Sequence, residues 1–412
     1  MQRILSLYYS AFSNLQSRIW ILSLAMFVNR SGSMVLLFTS LYLTNELKFS
    51  ISQAGLVMSF YGVGSIIGSY LGGWYTDKKD HRVVMIFSLI ACALILLLML
   101  VVKSLWIITA VVFTYALMAD MFRPAMSAAI VEYSKPENRT RSVSLMRLAN
   151  NMGFTIGPAI GGFIALHLGY KWLFILDAAS SFAAGIMLIF FFKAKAITNE
   201  SIKKKVKPPP ESSAYRDKHY LLFILMTAVY GACFFQLFAG MPQYFNIVCK
   251  YSEDTIGLLL GLNGLLVVLV EMPLMAHLER RKKIFPFIVS GVFLLPIAFA
   301  FLLFGKQMII FSVIYTIVIT ASEILALPFM MNHAISRPIK ERQGQYAALY
   351  SIAFGISITA APYFGLGVAD SFGFPTLFVL LMLVSLLLGV GFWRLGKTQN
   401  KSDHPVSENI PQ

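Results

Sequence analysis

Gly72-Gly73-Trp74-Tyr75-Thr76-Asp77-Lys78-Lys79 closes a long apolar run with an acid and two bases, and Leu274-Met275-Ala276-His277-Leu278-Glu279-Arg280-Arg281 closes another in the same way. Asp77 and Glu279 are 202 positions apart. Pro136 and Pro338, each ahead of a short charged turn, stand at the same offset, and Pro158 and Pro362 lie 204 apart inside apolar runs. A charged mark repeated at one spacing implies two similar halves, a construction known from membrane transport proteins.

The composition agrees. The 412 residues are 58% hydrophobic and only 13% charged, where a soluble chain carries about a quarter charged residues. About twenty apolar residues let a helix cross a bilayer. Twelve such runs can be drawn, at 19–44, 52–75, 83–103, 105–133, 142–168, 172–193, 219–248, 255–278, 284–304, 306–333, 343–369 and 372–395. None shows the charged face at helical spacing that a soluble helix needs. The expected fold is an all-α membrane protein with twelve transmembrane helices in two six-helix, pseudo-symmetric bundles.

The net charge of +15 is a topology signal. Taking the connecting segments alternately from the N-terminus, one set holds 26 Lys and Arg and the other five, with Arg30, Arg123 and Arg147 left inside the spans. The positive-inside rule then places both termini in the cytoplasm, and the basic side favours anionic lipid headgroups. The expected organisation is a cytoplasmic segment at 1–18, a first bundle at 19–193, a cytoplasmic linker at 194–218, a second bundle at 219–397 and a tail at 398–412. The linker carries Lys203-Lys204-Lys205 and Pro208-Pro209-Pro210, a composition that suits an extended chain. Met1–Arg18 has no apolar core followed by a cleavage site, so no signal peptide is expected. Cys92, Cys233 and Cys249 have no metal-ligand spacing, and neither a disulfide nor a metal is expected.

Twelve spans in six plus six with a basic signature after spans two and eight resemble the major facilitator superfamily over nearly the whole chain. The resemblance rests on Gly73 to Arg82, where Asp80 replaces the signature's glycine, and on Gly153-Phe154-Thr155-Ile156-Gly157-Pro158-Ala159-Ile160-Gly161-Gly162 in span five. The second stretch is similar to the antiporter signature of the drug:proton branch, with Ser144 in place of its earlier glycine. It implies that Gly73, Asp77, Lys78, Arg82, Glu279 and Arg280 form a conformational latch between the halves. A topological charge cluster is the alternative for Asp77. Gly153, Gly157 and Gly161 recur every four residues, with Gly162 beside them and Pro158 between. That face suits close helix approach and either limits leakage between the halves or simply packs.

A charged group inside a bilayer costs about 3 kcal/mol unless it meets a partner or a cavity. Arg30, Asp120, Arg123 and Glu323 are therefore the proton-coupling candidates. Asp120 can pair with Arg30 across the first bundle or with Arg123 one helical turn away, and Glu323 has no basic neighbour in its own span. Fixed structural ion pairs are the alternative. Span four lacks the R-x-x-x-G arrangement of drug antiporters, so the branch's proton relay does not carry over. Asn29, Phe60, Tyr61, Asn151, Phe234, Phe235 and Gln236 are candidate cavity residues, chosen as polar or aromatic groups near small residues. There is no P-loop and no catalytic constellation. The expected function is secondary active transport by alternating access, with proton-coupled export of drug-like or amphipathic compounds. The alternative is a specific metabolite such as a siderophore, amino acid, nucleoside or sugar. The expected partners are a small-molecule substrate, protons and membrane lipids, with no nucleic acid and no cofactor. The chain is expected to act as a monomer in a bacterial inner membrane.

Overall fold

The computed structural model describes residues 15–135, 138–192, 214–271, 274, 284–304, 308–336 and 343–402. Among these there is no strand. Twelve helical rods follow one another: α1 Ser17–Glu46, α2 Ile51–Lys78, α3 His81–Leu98, α4 Leu105–Tyr133, α5 Arg139–His167, α6 Tyr170–Phe191, α7 Lys218–Ile247, α8 Glu253–Glu271, α9 Phe285–Phe304, α10 Ile309–Ser336, α11 Gln343–Phe372 and α12 Phe374–Ser402. By length and composition, eleven can cross a membrane among the described residues. The remaining one, α5, is 29 residues long but carries Arg147, Asn150 and Asn151, and Arg147 pairs with Glu271 of α8. Of the expected linker 194–218, residues 194–213 lie outside the described residues and Lys218 already opens α7; of the expected tail, residues 403–412 lie outside them.

Short caps set the helix starts. The Ser50 side chain accepts from the Gln53 N–H and the Gln53 side chain from the Ser50 N–H, a reciprocal box that opens α2. Asp80 caps α3 through the Arg82 N–H at 2.9 Å. The residue that departs from the loop signature therefore has a local purpose, since a carboxylate at an N-cap satisfies an orphan donor.

The two-fold repeat is carried by the backbone. Lys48 and Lys250 are the described non-glycine residues with positive φ, at 59° and 58°. Gly169 and Gly373 are the glycine counterparts, at 89° and 83°, ending α5 and α11. These pairs stand at the offsets of the charged signatures and of Pro158 and Pro362. Packing repeats too. In the first half α1 packs on α5 and α6, α2 on α4, and α3 on α4 and α6; in the second α7 packs on α11 and α12, α8 on α10, and α9 on α10 and α12. Between halves α2 meets α11 and α5 meets α8.

Two runs expected to be single helices are broken at equivalent places. In α1 the ladder fails at Ser33–Met34, between Ser17–Gly32 and Val35–Leu41. There Ser33 N–H bonds Arg30 O, Ser33 Oγ bonds Asn29 O at 2.9 Å and Met34 N–H bonds Gly32 O. Local serine bonds displace the helical ones. In α7 a 3-10 turn, Phe235–Leu237, separates Lys218–Phe234 from Gly240–Ile247. Pro242 cannot donate to the preceding turn and suits a helix start.

Candidate functional site

In the first half, Asp120 on α4 is buried and accepts from Arg123 Nε at 2.8 Å, one turn along the same helix, while the Arg123 side chain is largely exposed. Of the two partners open to Asp120, the structure pairs it with Arg123. Arg30 does not form an ion pair with it among the described residues, yet Arg30, Asp120 and Arg123 all lie close enough to Tyr61 on α2 to act on its hydroxyl electrostatically. Tyr61 and Tyr115 have ring centroids 6.3 Å apart. With Val35 and Thr39 they line a small apolar cavity between α1, α2, α3 and α4. Asn29 donates to Ser181 Oγ at 3.2 Å, and Asn151 accepts at 3.2 Å from Asn150.

In the second half, Glu323 on α10 is half-buried. Asn263 of α8 donates to its Oε2 at 2.9 Å and to Thr320 Oγ1 at 2.9 Å. Among the described residues no cation pairs with Glu323. The two halves thus hold their carboxylates differently. Asp120 has a charged partner, Arg123, and Glu323 is held by the neutral amide of Asn263. Arg123 lies one turn from its acid on the same helix and was open to a sequence reading; Asn263 reaches Glu323 from another helix, 60 positions away, so only the folded chain assigns it.

The aromatic candidates separate. Phe235 and Phe238 sit together with Phe234 and Phe354, and Phe238 meets Phe154 of α5 edge-on at 5.8 Å, so this cluster crosses between the halves. Sequence reasoning missed Phe154 and Phe354, for which only the density of Phe in these spans was a signal. Phe60 is exposed on α2. Gln236 is buried and donates to Ala361 O at 2.8 Å, which commits its amide to the contact of α7 with α11.

The glycine signature has two faces. A Cβ at Gly153 would lie 2.6 Å from Arg30 Cβ, at Gly157 3.4 Å from the Arg30 and Ser31 carbonyls, and at Gly161 2.7 Å from Met34 Cβ. That face packs on the break in α1, inside the first half. Gly162, Pro158 and Thr155 instead meet α8 at Gly257 and Gly264, across the seam.

Among the described residues, most of the polar contacts across the seam gather at one end. The helix ends at Ser17, Phe191 and Lys218 define a proximal end; the turns at Lys48, Gly169, Lys250 and Gly373 define a distal end. At the distal end Thr44 and Gln243 are joined at 3.0 Å, Tyr170 donates to Glu253 at 2.7 Å and accepts from Asn45 at 3.1 Å, and the Ser52 N–H reaches Asp370. None of these contacts was expected from sequence. Along α2, Gly55 lies against Pro362 and Leu366, Gly62 against Thr359, and Ile66 against Gly355. Tyr70 and Trp74 continue the Ile66 face at helical spacing, but Tyr70 is 74% exposed and Trp74 43%. On the α5–α8 side, Arg147 and Glu271, joined through Nη2 and Oε1, form a contact well toward the proximal end.

At the proximal end of α2 a Cβ on Gly73 would meet nothing within 4 Å, Lys78 Nζ sits 3.8 Å above the Trp74 ring and Arg82 donates to Ile189 O at 3.0 Å. Asp77 lies within α2, and Glu279 and Arg280 lie outside the described residues.

Known proteins place this architecture. The chain is 25% identical to the "Uncharacterized MFS-type transporter YqjV" of Bacillus subtilis (strain 168), over 65% of this chain and 66% of that protein. It is 22% identical to "Multidrug resistance protein MdtG" of Serratia proteamaculans (strain 568), over 82% and 83%. Its fold superposes on a POT family transporter solved in complex with 5-aminolevulinic acid, with a TM-score of 0.78, 13% identity and coverage of 94% and 97%. The family model of the Major Facilitator Superfamily matches residues 22–349, so the chain is a multi-pass membrane protein and belongs to that superfamily of transporters.

Proposed function

We propose that this chain is a secondary active transporter that exports lipophilic or amphipathic small organic compounds in exchange for protons, by alternating access. The observation that carries this reading is a seam packed at the distal end, with Tyr70 and Trp74 exposed beyond Ile66 on the α2 side, and carboxylates inside the spans of both halves, Asp120 and Glu323 among them. Substrate and proton sites near the midplane between repeats suit rocking of one bundle against the other. The aromatic cluster of Phe154, Phe235, Phe238 and Phe354 offers apolar, adaptable area to such compounds. Similarity to a multidrug resistance protein favours export. The basic bias puts the proximal end in the cytoplasm, so the conformation is inward-open, in a bacterial inner membrane whose anionic headgroups meet the basic end. Each chain supplies both halves and works as a monomer.

The test uses proteoliposomes, with ethidium as the probe and an imposed pH gradient. Flux should rise with the gradient and vanish when it is collapsed. Glu323→Gln should lose the gradient response while substrate-for-substrate exchange persists, and Asp120→Asn should lower both. Flux of nucleosides, sugars or amino acids in place of ethidium would move the reading to a specific metabolite.

A further inference from the structure

Asp177 on α6 has 0% exposure, and neither of its carboxylate oxygens closes a hydrogen bond. It faces the break in α1. Gly32 is pressed so tightly onto α6 that a Cβ there would overlap Ser180 and lie 3.4 Å from Asp177 Cα. The N–H of Val35, first residue of the second segment of α1, faces the carboxylate, as does the Ser181 hydroxyl that Asn29 holds. The ionisable groups around it are Arg30 from α1, Cys92 from α3 and Tyr115 from α4. On the other side of the break Arg30 Nε and Ser31 Oγ are also buried without partners. Buried polar groups are normally satisfied, and a cluster that is not marks a missing ligand or a strained state.

We propose that Asp177 is a proton-binding site of the transport cycle and that proton binding there closes the break in α1 at Ser33–Met34. The inference rests on the proton-coupled reading above and names a site for the proton. With Asp177 ionised, its charge balances Arg30 and attracts the Val35 N–H, which keeps the second segment separate. A proton taken from water onto a carboxylate oxygen neutralises Asp177. The pull on the Val35 N–H then weakens, and it turns to the Ser31 carbonyl, its i−4 partner. Arg30 is left without its counter-charge and is free to turn toward Asp120 or Tyr61. The movement reaches the seam through α5, because Gly153 and Gly157 lie on Arg30 and Ser31 while Gly162 and Thr155 lie on α8.

Spin labels at Leu24→Cys and Glu46→Cys, both exposed positions on α1, report the break; the native cysteines are buried. In otherwise wild-type protein in lipid nanodiscs the label distance should shift as pH falls. Asp177→Asn, of the same shape, should lose the shift, and Asp177→Glu should keep it. In infrared difference spectra the protonated-carboxyl band that accompanies the shift should vanish in Asp177→Asn and survive in Asp120→Asn and Glu323→Gln. A distance that ignores pH in the wild-type background overturns the inference, as does a shift that persists in Asp177→Asn. Failure of the broader reading is separate: ethidium flux indifferent to a pH gradient removes proton coupling, whereas gradient-driven flux that Asp177→Asn leaves intact removes only Asp177.

Discussion

At the scale of single residues, the pair of Arg147 and Glu271 shows how a bilayer interior selects partners. Arg147 was readable as an ionisable group within a span, because such groups are costly there. Its pairing with Glu271 was not, since 124 positions separate them. The Glu271 side chain is mostly buried while that of Arg147 is about half exposed at 54%, so solvent screens the pair and its coupling should be on the order of 1 kcal/mol. Arg147→Gln and Glu271→Gln should each slow ethidium flux several-fold, as one tie between the halves is lost. Arg147→Glu combined with Glu271→Arg should recover most of it. Equal losses in the single and the reversed double variants would show that the two charges act separately. Asp120 teaches the same lesson: sequence offered two cations, and the fold gave it the nearer one.

At the scale of the helix, α5 divides its work between two faces. One face, Gly153, Gly157 and Gly161, holds α1 inside the first half; the other, with Thr155, Pro158 and Gly162, holds α8. The periodicity of the glycines was plain in the sequence, but it does not say which neighbour each face meets. Lipid tails are as apolar as the side chains, so close backbone approach is what joins such helices. Gly257→Val would put a Cβ against the Pro158 carbonyl and 3.0 Å from Gly162 Cα. The expected outcome is normal insertion and helix content, flux down at least about tenfold, corresponding to ~1.4 kcal/mol, and greater labelling of a cysteine at the distal end. Unchanged labelling would mean that this contact does not hold the distal side shut. The breaks in α1 and α7 escaped a hydropathy reading because serine, glycine and short aromatic residues keep a run apolar on average while altering its hydrogen bonds.

At the scale of the whole molecule, closure of the distal end depends on contacts between residues of opposite halves. Thr44 and Gln243 meet through their side chains at 3.0 Å. In Thr44→Cys with Gln243→Cys, a short thiol-specific cross-linker with a cleavable disulfide spacer should bridge the halves, lock the distal end and abolish flux, and a reductant should restore it. Flux that continues with the bridge formed would mean that the distal end need not open. The repeat seen as paired charges and prolines reappears as Lys48 with Lys250 and Gly169 with Gly373 in left-handed turns, so the symmetry extends from sequence to backbone.

The apolar spans and the all-helical membrane fold were legible in the sequence alone, because in lipid each helix must satisfy its own backbone and so writes its signal locally. The superfamily was legible for the same reason, in short motifs at the ends of spans. Which acid meets which base, where α1 and α7 break, and which end of the seam is shut were decided only by tertiary packing. Those features join residues far apart in the chain, and their energies come from close approach and paired charge between helices, which no single stretch of sequence contains.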